Sequence, residues 1–163
     1  MSVQTEMFAE AVKRPRSDAG PIVEAAAREY AKEMHASYAE WSIDEWAEAL
    51  AKEYRSHDDG YEFAKKLERH GHAPDAEMVR MLDDFDFRVR EHWRRAVESW
   101  VEAVGFEPLH SVGDLVDLGK HYKDGERRGR ITEIRHKTAE YLVNVDPASK
   151  SAYIVAAESV AAA

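Results

Sequence analysis

Cysteine is absent from the 163 residues, which excludes disulfides, a thiol nucleophile and a thiolate metal site, and is compatible with a reducing compartment. No window is apolar for long enough to span a bilayer. Residues 1–10 include Glu6 and Glu10 and no apolar run, so neither secretion nor insertion is expected, and a cytoplasmic location follows as the default. Also missing are a Gly-x-Ser-x-Gly elbow, a phosphate loop and a dinucleotide fingerprint, so the common signatures of acyl transfer, phosphate and cofactor chemistry lend no support. Internal repeats are absent, and the only low-complexity run is the terminal 161–163. What is present is a hydrophobic share of 44%, enough for a packed core in one large domain or two small ones.

The net charge of −9 is unevenly spread. Residues 1–108 hold 24 acidic against 15 basic side chains, while residues 109–163 hold 8 of each. Within that neutral part, the window 120–137 carries a local charge of +4, with Lys120, Lys123, Arg127, Arg128, Arg130, Arg135 and Lys137 outnumbering Asp124, Glu126 and Glu133. Bulk nucleic-acid binding is disfavoured by the acidic whole but admitted at this basic stretch.

Residues 1–20, with Lys13-Arg-Pro-Arg16, read as a flexible arm. From Pro21, Ile22, Ala26, Tyr30, Met34, Tyr38 and Trp41 recur at steps near four and predict a helix with one apolar stripe. Ser42-Ile-Asp-Glu45 is a capping box, followed by Ile43, Trp46, Ala47, Leu50 and Tyr54 on one face of a second helix. After the break at Ser56-His-Asp-Asp-Gly60, a short third helix is expected with Tyr61, Ala64 and Leu67 inward. Pro74 and the acidic Asp75 and Glu77 then suit the start of a long helix through Met78, Leu82, Phe85, Val89, Trp93, Ala96, Trp100 and Val104. At roughly 30 residues it would run about 45 Å if straight, and either bends or meets another chain. Gly105 and Pro108 end it.

Beyond the junction the periodicity changes to two. Val112, Val116 and Leu118 share a parity, Ile131 and Ile134 follow, and Tyr141, Val143 and Val145 share another. With 152–155 and 158–160 as a fourth and a short fifth strand, the segment is expected to close a small SH3-like β-barrel with no open edge. The fold class is therefore α+β, an arm over 1–20, a helical domain over 21–105 and an SH3-like barrel over 106–163.

Three constellations are candidates for chemistry. His70, His72 and Asp75 could ligate a divalent metal, but they lack an i,i+4 helical pair and a third histidine, so a solvated loop is the reading. Asp83, Asp84 and Asp86 could bind a hard cation or act as acid and base, but interleaved with Phe85 and Phe87 they read as the wet face of a helix. Trp41, Trp46, Trp93 and Trp100 fall on inward stripes and read as core. The remaining candidate is the basic hairpin. Lys120, Lys123, Arg127, Arg128 and Arg130, with His121 and Tyr122 for stacking, suit nucleic-acid phosphates, carboxylates of a partner protein, or a solvated loop that balances an acidic molecule.

Trp41-Ser-Ile-Asp-Glu-Trp46 before a helix, Asp59-Gly-Tyr-Glu-Phe63 with Lys66-Leu-Glu68, and His70-Gly-His-Ala-Pro-Asp-Ala-Glu77 together resemble the helical region of the β subunits of nitrile hydratases, their thiocyanate hydrolase relatives and related accessory proteins. In the family an SH3-like barrel follows the helices. Gly119 and Arg128-Gly129 have the spacing of the family's Gly-His-Thr-Arg…Arg-Gly loop, with Lys120 in place of its histidine and Tyr122 in place of its inner arginine. The resemblance implies a non-catalytic, metal-free β-like or accessory subunit that binds an α-type protein partner. Any metal would be held by that partner's cysteines, and Arg128 would help to orient the partner's site. At most, then, the chain is a subunit of a nitrile hydratase-like lyase, working as a homo- or hetero-oligomer away from membranes. The competing reading is a free-standing SH3/KOW-like module that contacts nucleic acid or another protein through residues 120–137.

Overall fold

The computed structural model describes residues 13–119, 128–146 and 152–163. They divide into two compact units, one ending at Ala96 and the other beginning at Val97. The part of the expected arm at 1–12 lies outside the described residues. Its remainder is engaged, since the Trp93 indole donates to Pro15 O at 2.9 Å and Arg16 pairs with Asp18 at 2.7 Å.

Four helices carry the first unit. Helix α1, Gly20–Ser37, starts on a proline in its first turn and buries Ile22, Val23, Ala26, Ala27, Tyr30, Ala31 and Met34. Helix α2, Ile43–Glu53, opens on the expected capping box: Ser42 Oγ accepts from Glu45 N, and Glu45 accepts from Ser42 N at 2.8 Å. Those two bonds satisfy amides that a helix leaves free at its first turn, worth about 1 kcal/mol. Helix α3, Gly60–Glu68, is capped by Asp59, which accepts from Glu62 N. Helix α4, Ala76–Val104, begins with Asp75 accepting from Met78 N at 2.8 Å. It is unbroken, although Ala76–Ala96 and Val97–Val104 belong to different units.

In the first unit Trp46, Phe85, Met34, Leu50, Leu67, Met78 and Leu82 are almost wholly buried. Phe85 is the hub, with the rings of Tyr30, Tyr54 and Phe63 centred 5.4 to 5.9 Å from its own. Tyr61 was expected inward and is instead 57% exposed. Its neighbour Gly60 explains this. A Cβ at Gly60 would sit 2.2 Å from Val79 O and 2.7 Å from Asp83, so here the α3 backbone itself lies against α4, and Tyr61 is turned outward. Ile43, Phe87 and Val112 are exposed as well. Val112 is at the tip of a turn closed by Asp114 N to Ser111 O and Ser111 N to Asp114, ahead of the first strand, so the strand parity does not reach it.

In the second unit the strands are β1 Leu115–Asp117, β2 Arg128–Arg135, β3 Glu140–Asn144, β4 Tyr153–Ala156 and β5 Ala161–Ala162. All pairings are antiparallel, in the order β4-β3-β2-β1-β5. Val116, Leu118, Ile131, Tyr141 and Val143 form the core, joined by Ile134, Val145, Val155 and Val160. The expected strand at 158–160 is displaced. Ala157–Ser159 form a 3-10 turn and β5 follows, two residues long. It pairs with β1 only, so among the described residues β4 and β5 remain the two edges of an open sheet and the expected closure is not made. The chain is thus α+β, helices followed by a five-stranded antiparallel sheet. No helix among the described residues is long and apolar enough to cross a membrane.

Candidate functional site

Of the basic hairpin, Lys120, His121, Tyr122, Lys123 and Arg127 lie outside the described residues. Arg128 and Arg130 occupy the first and third positions of β2 and are both exposed, with Gly129 buried between them. That alternation follows from the two-residue repeat of a strand. The register is fixed by Asp117 opposite Arg128, Val116 opposite Gly129 and Leu115 opposite Arg130. Arg130 Nη1 donates to Gly113 O, which ties this guanidinium to the turn before β1. A Cβ at Gly129 would meet Val143 Cγ1 at 2.4 Å and Asn144 O at 3.0 Å, so any other residue there would push β2 away from β3. Arg128 is therefore held at a defined point of the sheet surface by the bare backbone beside it.

The helical unit offers a groove of about 1110 Å³ bounded by α1, α2 and residues 54–57. Its lining mixes acids such as Glu24, Asp44 and Glu48 with the basic Arg28, Lys52 and Arg55. Arg55 is directed to backbone, donating to Lys52 O at 3.1 Å and Tyr54 O at 2.6 Å. Such interleaved charge offers no single-sign field for an anion or a cation.

Sequence reasoning missed a third feature. The loop His70-Gly-His-Ala-Pro was expected to be solvated, yet His72 is only 7% exposed and His70 bonds Glu53 at 2.9 Å. The His72 ring centre lies 3.4 Å from that of Trp41 and 4.3 Å from that of Trp46, stacked on the latter at 25°. Its Nε2 is buried with no hydrogen-bond partner. Burial pushes the imidazole below its ordinary value, with Glu40 pulling it up and His70 pressing it further down. Around this cluster, Trp46 Nε1 donates to Tyr38 O at 3.1 Å and His35 Nδ1 donates to Trp41 O at 2.7 Å. Tyr38 Oη donates to Asp75 at 2.6 Å. The Tyr38 phenol is pushed up to about 12, by burial first and then by Asp75, whose carboxyl is in turn held below the usual range.

The aspartates of α4 are structural ties. Asp83 accepts from Gly60 N, while Asp86 accepts from Tyr54 Oη at 2.6 Å and pairs with Arg90 at 2.6 Å. Asp84 is exposed. Among the described residues no group of three or more His, Asp or Glu side chains is placed to hold a metal ion. The four tryptophans divide, with Trp46 and Trp100 buried and Trp41 and Trp93 half-buried against the core. Comparison of the chain with protein-family models, with curated proteins and with solved structures finds no match.

Proposed function

We propose that the chain is a metal-free β-like or accessory subunit of a nitrile hydratase-type enzyme, acting by binding an α-type protein partner that holds the metal. The observation that carries this reading is the Arg128-Gly129 pair, an exposed guanidinium set in fixed register beside a glycine that tolerates no side chain. Further support comes from the Trp41-to-Trp46 segment, whose serine caps a tryptophan-bearing helix, and from the order of helices before an antiparallel sheet. The strand order β4-β3-β2-β1-β5 and the register shift within β2 support reading the sheet as an SH3-like barrel.

In this reading the reacting centre would be the partner's, whose bound metal would supply Lewis-acid chemistry for nitrile hydration. Arg128 contributes by a charge-assisted, two-pronged hydrogen bond to the rim of that centre, orienting it without donating or taking a proton. Co-purification of the tagged chain from its host, with metal analysis and nitrile hydration assays on what is recovered, tests the reading. The expected outcome is a cysteine-bearing metalloprotein partner whose hydration rate falls at least tenfold with Arg128→Glu while the circular dichroism is unchanged. Recovery of a lone monomer with no metal would overturn it. Salt-sensitive nucleic-acid binding lost on charge reversal of Arg127 and Arg128 would instead favour a free-standing binding module.

A further inference from the structure

His72 is the one described side chain with a buried polar atom that has no hydrogen-bond partner, and the proposed function makes no use of it. A neutral imidazole has one N–H and one bare nitrogen. With Nε2 buried and unpartnered, the arrangement suits the neutral tautomer that leaves this atom bare, because a buried acceptor without a donor costs less than a buried N–H without an acceptor. The ring also joins two loops. It belongs to the connection between α3 and α4, while Trp41 belongs to the connection between α1 and α2, and Trp46 lies in the first turn of α2. Few backbone bonds duplicate that clasp: His72 N reaches Leu67 O only at 3.4 Å.

We propose that His72 is a pH-operated latch: neutral, it clasps the 69–75 loop to Trp41 and Trp46, and protonated, it releases that loop and the 38–42 connection from the helical unit. Charged and titratable groups bear on it from each side. Glu40, just ahead of Trp41, favours the charged ring, and His70, from its own loop, disfavours it. From α1, α2 and the residue before α4, the titratable groups around this loop are already engaged, His35 with Trp41 O, Glu53 with His70 and Asp75 with Tyr38. Attraction of an imidazolium to the indole faces works against release, whereas burial, which outweighs the charges of Glu40 and His70, works for it.

The direction of the response follows from linkage. Above the ordinary imidazole value, about 6.5, the ring is neutral whether clasped or free, and the latch is fully closed. As the pH falls through that value the released loop takes a proton that the clasped ring resists, so the closed form loses ground progressively.

Tryptophan emission and the imidazole NMR signals of the full chain, followed together from pH 8 to pH 4.5, test this. The His72 signal is expected to titrate below the ordinary imidazole value and in step with the change in emission. Both His72→Gln and His72→Phe should abolish that emission step, and Glu40→Gln, which keeps the histidine, should move it to lower pH. An emission step that survives in either His72 variant overturns the latch. So does titration of His72 at or above the ordinary value, or titration without any change in emission. Should the phenylalanine variant not fold, the glutamine variant and the Glu40→Gln shift decide.

Discussion

Between residues 13 and 96, three tyrosine hydroxyls cross from one part of the helical unit to α4 or to the residue just before it: Tyr30 to Met81 O, Tyr38 to Asp75 and Tyr54 to Asp86, each at 2.6 Å. The ion pair of Arg88 with Glu33 and the hydrogen bond between His92 and Glu29 also join α4 to α1. In the sheet unit the strands are joined by main-chain ladders, to which Thr132 Oγ1 adds a side-chain bond to Leu142 O. The difference is a consequence of where each element satisfies its backbone. A helix uses its N–H and C=O groups internally, so its position against a neighbour must be specified by side chains. A strand gives those groups to the next strand, so its position is specified by the main chain and the side chains are left to fill the core.

Removing core volume should expose that contrast most strongly. Trp46→Ala deletes a buried indole together with its bond to Tyr38 O and its stack on His72, and is expected to cost about 3–5 kcal/mol. Ile131→Val in the sheet core should cost about 0.5–1.5 kcal/mol. Urea denaturation with amide exchange as a local readout measures both, and equal losses would break the comparison.

The two intolerant glycines sharpen it. Gly60→Ala forces a Cβ into Val79 O, a backbone atom, and should destabilise by about 1–3 kcal/mol. Gly129→Ala first meets a side-chain methyl of Val143, so the cost should fall toward the lower end of that range. The opposite ranking of denaturation midpoints would show that the sheet, not the helical packing, is the stricter of the two.

The smallest effects concern single hydroxyls. Tyr54→Phe removes a bond to Asp86 from a phenol that burial and this aspartate hold well above its ordinary value, and about 1 kcal/mol should be lost. Thr132→Val, on the exposed face of β2, should stay within about 0.5 kcal/mol of the parent. Thermal midpoints of the two variants, measured side by side, check whether side-chain bonds matter more among the helices.

How much could be read beforehand divides along the same line. The capping box at Ser42, the stripe from Ile22 to Met34 and the span of α4 were legible, because each depends on residues a few positions apart. The outward turn of Tyr61 was not, since it is imposed by α4 pressing on Gly60 from across the sequence. Nor was the burial of His72. A His-Gly-His-Ala-Pro loop is locally polar, and only tryptophans about thirty positions away enclose it. A signal existed in the two indoles of Trp41 and Trp46, whose faces needed something flat to cover them. In the candidate basic site, the exposure of Arg128 and Arg130 agreed with strand alternation, whereas the rest of the hairpin lies outside the described residues.

Strand β2 shifts register between Ile131 and Glu133, leaving Thr132 unmatched opposite β3. One supernumerary residue reverses the in-and-out sense of everything after it, which is why Ile131 and Ile134, an odd number apart, both face inward. A shortened chain lacking Thr132 would regain strict alternation and keep both isoleucines covered. What it would forfeit is the local bend that such an extra residue gives a strand, together with the Thr132 Oγ1 bond to Leu142 O.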